Sequence, residues 1–192
     1  LNTAKKIFSY SLKSKCTDQP YFLDAGSTLF NAEPTFVLAK ALADKYYQSQ
    51  SYQQALNFYK KAEELAGPGQ ESFQAFYGQA LTYSKMGNKP QARSMARQAL
   101  SKKTDAKEAY NLIGNLYYTS YDDCKAGESR VADRSIFIAA YNMYEKSGNT
   151  EQMQAAKEQF PSIEEIFSEG KEEGQIVTVG CWINESVKLE RR

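Results

Sequence analysis

The sequence predicts an all-α chain, a solenoid of stacked helical hairpins closed at its C-terminus by a small β-hairpin. Three observations carry this. Apolar residues recur at helical spacing through most of the chain, interrupted by short polar or Gly/Pro stretches. Small residues return at matching offsets in three successive blocks starting at Phe36, Phe73 and Lys107, the second 37 residues after the first and the third 34 after the second. A single helical hairpin cannot bury its own apolar face, so such blocks must stack. Residues 175–183, by contrast, alternate and are β-rich.

Residues 3–15 are expected to form a short basic amphipathic helix with Ile7, Phe8 and Leu12 turned inward, followed by a turn at Cys16-Thr17-Asp18-Gln19-Pro20. Residues 21–30 make another short helix on Phe22, Leu23, Leu29 and Phe30; Asn31-Ala32-Glu33-Pro34 ends it, and Thr35 can cap the next. The first block reads Ala39, Leu42, Ala43 and Tyr46, then a polar break at Gln48-Ser49-Gln50-Ser51. It continues with Tyr52, Ala55, Tyr59 and Ala62 and closes at Gly67-Pro68. Its small residues fall where two antiparallel helices touch, and its tyrosines and Leu42 fill the space between. The second block repeats the offsets with Phe76, Ala80, Tyr83, Gly87, Ala92, Ala96 and Ala99, after an extended loop at Gly69-Gln70-Glu71. The third repeats them with Tyr110, Ile113, Gly114 and Tyr117.

Residues 122–129 have no apolar period and are expected to be loop, so the third block loses its tight turn. A helix over 131–146 follows, with Ile136, Phe137, Ala140, Tyr141 and Tyr144 on one side. Ser147-Gly148-Asn149 ends it, and a partner helix over 152–159 completes a capping repeat. Ser162-Ile163-Glu164-Glu165 fits a capping box that opens a short helix holding Ile163, Ile166 and Phe167. The tail reads as two strands, 175–183 and 186–190, around a two-residue turn at Asn184-Glu185, with Trp182 anchoring the hairpin on the last helices. The expected division is therefore a solenoid over 1–161 and a cap of short helix and hairpin over 162–192.

The register and its small-residue places resemble the tetratricopeptide repeat over residues 36–114. The fold class is thus a tetratricopeptide-type helical-hairpin solenoid. A narrower resemblance rests on Ile113-Gly114-Asn115-Leu116-Tyr117, Cys124-Lys125, Asp133-Arg134, Phe160-Pro161-Ser162 and Gly180-Cys181-Trp182-Ile183. These segments are similar to the C-terminal half of exported bacterial tetratricopeptide proteins. That resemblance implies an extracytoplasmic setting, periplasmic or cell-surface, and no particular chemistry. The chain opens at Leu1 with no signal-like start, so the expectation is that a targeting segment lies outside it, either removed or in the earlier part of a longer protein. Residues 3–15 resemble the second helix of a repeat whose first is missing, with Ala4, Phe8 and Ser11 at the corresponding offsets.

Charge and composition narrow the function. Lys plus Arg is 24 against 23 for Asp plus Glu, a net charge of +1 that argues against nucleic acid as a partner. No apolar run approaches the roughly 18 residues of a membrane span. The chain has no histidine, which removes the commonest general base and metal ligand. Glu164, Glu165, Glu169, Glu172 and Glu173 read as an acidic helix end at solvent, and the glycines form no phosphate-binding loop. No catalytic residue, cofactor or metal is expected. The three cysteines are either all reduced or, in the oxidising compartment that the resemblance implies, Cys124 pairs with Cys181 and leaves Cys16 over.

In tetratricopeptide proteins the first helices line a concave groove. Carried onto this chain, its partner-binding residues are Lys40, Asp44 and Tyr47 in the first block, Gln74, Tyr77 and Lys85 in the second, and Asn111, Asn115 and Tyr118 in the third. Gly78 and Leu112 fall at groove places too. Tyrosines and amides with few charges suit an extended polypeptide held by stacking and main-chain hydrogen bonds. Alternatively, the tyrosines pack on neighbouring helices or on the tail. Of the places at which some relatives clamp a C-terminal carboxylate, Lys40 alone matches; Asp44, Gly78, Glu108 and Leu112 occupy the others. The expected function is a non-catalytic scaffold for a peptide or protein partner, with a glycan-binding repeat protein of the bacterial cell surface as the alternative.

Overall fold

Caps, prolines and glycines cut the chain into helices largely where the sequence marks them. The computed structural model describes residues 1–14, 16–17 and 19–192, in two units, Leu1–Thr104 and Asp105–Arg192. Lys15, the expected end of the first helix, and Asp18, in the turn after it, lie outside the described residues.

In the first unit α1 spans Asn2–Lys13, α2 Pro20–Ala32, α3 Phe36–Gln48, α4 Tyr52–Leu65, α5 Gln70–Lys85 and α6 Lys89–Lys102. Pro20 opens α2, where its missing N–H is no loss. Thr35 caps α3 by accepting from the Leu38 N–H at 3.3 Å, and Asn88 caps α6 by accepting from the Gln91 N–H at 3.3 Å. Turns at Gln50 (φ 61°) and Gly87 (φ 77°) reverse the chain tightly between α3 and α4 and between α5 and α6. The helices then meet on small residues: Ala39, Ala43, Ala55, Ala62, Ala80, Ala92, Ala96 and Ala99 are all buried. α1 docks through Phe8, whose ring stacks on Phe22 at 4.8 Å. The expected inward stripe of α1 is narrower than the sequence suggests. Phe8 and Ser11 are buried, Ile7 is half-buried and Leu12 is 42% exposed. The reason is that α1 packs chiefly on α2, which covers one ridge.

In the second unit α7 spans Lys107–Tyr118, α8 Tyr121–Cys124, α9 Arg130–Ser147, α10 Thr150–Lys157 and α11 Ile163–Ser168. Strands β1 (Ile176–Val179) and β2 (Glu185–Lys188) pair antiparallel. The stretch 122–129, expected to be wholly loop, begins with the turn of helix α8. Its Cys124 and Lys125 N–H groups bond back to Ser120 and Tyr121 at 2.9 Å, and Tyr121 packs 4.9 Å from Phe137. Asp133 ties down the rest, its carboxylate accepting from the Ala126 and Gly127 N–H groups at 2.8 and 3.0 Å.

α9 and α10 pair as the periodicity expects, and α9 also lies along α7. Tyr118 meets Phe137 at 5.3 Å at one end, and Lys146 lies 5.7 Å from the Tyr110 ring at the other. The two helices are therefore antiparallel. α8 is a single turn, too short to cover α7, and α9 takes the place of the missing second helix. α10 then folds back on α9 through Gly148 at φ 72°. The expected capping box opens α11: Ser162 accepts from the Glu165 N–H at 3.2 Å, and Glu165 accepts from the Ser162 N–H at 2.8 Å.

The hairpin also departs from expectation. Its register, Ile176↔Lys188 to Val179↔Glu185, leaves residues 180–184 as a loop instead of a two-residue turn at Asn184-Glu185. Cys181 and Asn184 take φ values of 62° and 46° there. The wider loop turns Ile183 into the core and brings Cys181 to Cys124, with which it forms a disulfide (Cα–Cα 5.5 Å). The hairpin packs on α9 with Val179, Ile183, Val187 and Leu189 buried. Trp182, the expected anchor, is half-buried, its ring 5.8 Å from that of Tyr117. The Tyr117 hydroxyl donates to the Glu185 carboxylate.

Candidate functional site

Residues three and four apart share a helix face. Lys40, Asp44 and Tyr47 thus share a face of α3, Gln74, Tyr77 and Lys85 a face of α5, and Asn111, Asn115 and Tyr118 a face of α7.

In the first unit Lys40 and Asp44 are occupied with each other. The Lys40 Nζ lies 2.6 Å from Asp44 Oδ2, and the Tyr59 hydroxyl donates to Asp44 Oδ1 at 2.7 Å. Burial and then the neighbouring carboxylate push the Tyr59 pKa up, so its hydroxyl remains a donor. Tyr47 is half-buried and meets Tyr52 edge-on at 5.7 Å; burial, then Tyr52, raises its pKa. Tyr77, also half-buried, stacks on Phe73 at 5.6 Å. Gln74 is half-buried and Lys85 exposed.

A cleft of about 180 Å³ opens beside α3, lined by Ala41, Asp44, Lys45 and Gln48 with Leu12, Thr17 and Phe22. Asp44 is one of the expected groove residues, and Ala41 and Gln48 lie one helical turn to either side of it. Leu12 and Phe22 are additions that sequence reasoning missed, because residues 1–35 lie before the first clear block.

In the second unit Asn115 and Tyr118 face α9, and Asn111 meets the turn that follows it. Asn115 accepts from the Tyr144 hydroxyl at 2.9 Å, Asn111 accepts from the Asn149 amide at 2.8 Å, and Tyr118 packs on Phe137. Asp44 and Asn115 stand at the ninth place of their blocks and do the same work. Each holds the hydroxyl of a tyrosine that the packed helix lays over a small eighth-place residue. Tyr59 clusters with Ala43, and Tyr144 lies against Gly114, where a Cβ would come within 2.6 Å of the ring. Gly78 and Leu112, groove places by register, are buried. Gly78 lies under the Tyr59 ring, which a Cβ there would meet at 2.3 Å.

No protein-family model matches the sequence, and no curated protein matches it. Solved structures do match the fold. A crystal structure of the MamA protein superposes with a TM-score of 0.62 at 16% identity, over 82% of this chain and 81% of that one. Another MamA crystal structure gives 0.52 at 17% identity, over 77% and 91%. A tetratricopeptide repeat protein from Parabacteroides merdae gives 0.52 at 17% identity, over 90% and 81%. The chain has the tetratricopeptide fold.

Within this tetratricopeptide fold, Lys40, which alone matches the carboxylate clamp, is ion-paired to Asp44. Among the described residues no group of three or more His, Cys, Asp or Glu side chains converges to hold a metal ion. No described helix is long and apolar enough to cross a membrane.

Proposed function

We propose that this chain is a non-catalytic interaction scaffold that holds an extended polypeptide on the first-helix faces of its repeats. The observation that carries this is the pair Tyr47 and Tyr77. Both are half-buried on first helices, and each is braced by a second ring, Tyr52 at 5.7 Å and Phe73 at 5.6 Å. Rings held this way lose little conformational entropy on binding. Gln74 and Lys85 add hydrogen-bonding capacity to the α5 face. Lys40 and Asp44 border the α3 face, and Asn111, Asn115 and Tyr118 belong to the α7 face of the second unit. The setting is extracytoplasmic, periplasmic or cell-surface, in a bacterium. The Cys124–Cys181 disulfide supports it, since such bonds persist in oxidising compartments.

Display selection of peptides on the folded chain tests the reading. For a selected peptide, Tyr47→Ala and Tyr77→Ala are each expected to raise Kd about tenfold, the scale of an aromatic anchor, with unchanged circular dichroism. Unchanged affinity in the double variant would remove the first-helix faces from the site. A glycan array run alongside covers the other class of ligand: sugar binding lost with the same two tyrosines would replace the peptide reading.

A further inference from the structure

One core place in the second block is filled by an amide. Leu42 and Ile113 stand at the seventh place of the first and third blocks, both buried; the second block has Gln79 there, 2% exposed. A buried amide is tolerated only with hydrogen-bond partners. The Gln79 Nε2 donates to Glu63 Oε2 at 2.6 Å, and no described residue donates to its amide oxygen. The pair floors a groove of about 340 Å³ where α4, α5 and α6 meet, walled by Phe76, Tyr83 and Met95, with Glu64 and Lys60 also lining it. Lys102 of α6 brings an ammonium to 5.8 Å from the Phe76 ring, a cation–π contact at this wall.

We infer that this groove binds the guanidinium of an arginine carried by a partner polypeptide. Its floor presents acceptors, the Gln79 amide oxygen and the Glu63 carboxylate, and one N–H of the amide is committed to Glu63. A guanidinium is planar, carries donors only, and spans two neighbouring acceptors with one fork. The Tyr83 and Phe76 faces accept such a cation, and Glu63 and Glu64 supply the opposite charge. A lysine ammonium brings the charge without the plane. The groove uses none of Tyr47, Tyr77 or their neighbours, so it stands independently of the first-helix reading.

The test is a calorimetric titration of the full chain at low salt with acetyl-Gly-Arg-Gly-amide and with its citrulline counterpart. The arginine peptide is expected to bind at least tenfold more tightly than the citrulline peptide, which keeps the shape and loses the charge. Glu63→Gln and Gln79→Leu are each expected to weaken arginine binding at least tenfold. Gln79→Leu should keep the melting temperature, since leucine fills the same place in the first block. The Tyr47→Ala/Tyr77→Ala double variant should bind the arginine peptide as the unmodified chain does. Three results would overturn the inference: no saturable binding of the arginine peptide, equal binding of the citrulline peptide, or full arginine affinity in a folded Gln79→Leu variant.

Discussion

Two tyrosines, Tyr59 and Tyr144, show how single residues set the helix spacing. Each ring lies on a residue with little or no side chain, and each hydroxyl is fastened to a ninth-place acceptor, Asp44 or Asn115. A fastened ring cannot swing aside. Gly114→Ala and Gly78→Ala are therefore expected to cost about 1–3 kcal/mol each, as overpacking does, read as a lower melting temperature. Asp44→Ala should cost a similar ~1–3 kcal/mol by stranding the Tyr59 hydroxyl, whereas Tyr47→Ala should move the melting temperature little. The small eighth-place residues and Tyr59 were legible in the sequence. The bonds of Asp44 and Asn115 to those tyrosines were not, because the ninth place lies on the border between the buried and open faces. Gln79 left a readable signal, a polar residue at an apolar offset. Its partner Glu63 left none, since a helical glutamate one turn from the buried stripe resembles any solvated one.

Among the elements, α9 is the one whose second partner, α7, the sequence hid. Its apolar period is the same whether it faces α7 or α10, and what settles the matter is the length of α8. The start of α9 is held electrostatically. Glu169, just past α11, accepts from the Ser129 hydroxyl, from the Val131 N–H at 3.1 Å and from Lys171 Nζ at 2.7 Å. Burial pushes its carboxyl pKa up, yet Lys171, Ser129 and Val131 together hold it down, from the ordinary 4.5 to about 2. Between those values the unfolded chain binds the proton and the native chain does not, so stability falls as the solution is acidified. The contribution is whole above pH 4.5 and fades toward pH 2. Glu169→Gln is expected to flatten the melting temperature's dependence on pH across that window. A slope identical to that of the unmodified chain would detach Glu169 from the acid response.

For the whole molecule, the helical-hairpin architecture was legible because period and small-residue register agree over three blocks. The tail was only partly so. Strand propensity marked the hairpin, but its loop is set by a left-handed Cys181 and the bond that this residue makes, neither of which alternation reveals. The Cys124–Cys181 bridge spans a sequence separation of 57. In the chain-entropy model a loop of that scale contributes about 4 kcal/mol. Alkylation of unreduced protein from its native compartment should label the exposed Cys16 and spare Cys124 and Cys181. Labelling of all three before reduction would withdraw the extracytoplasmic setting.

Between Cys124 and Cys181 the polypeptide is a closed covalent ring that carries α9, α10, α11 and β1. A peptidase that cuts once inside such a ring opens it without releasing a fragment. The new ends stay tethered through sulfur, so the severed halves of the ring remain neighbours and can re-pack. Damage of this kind becomes loss of a piece only where a reductant is also present.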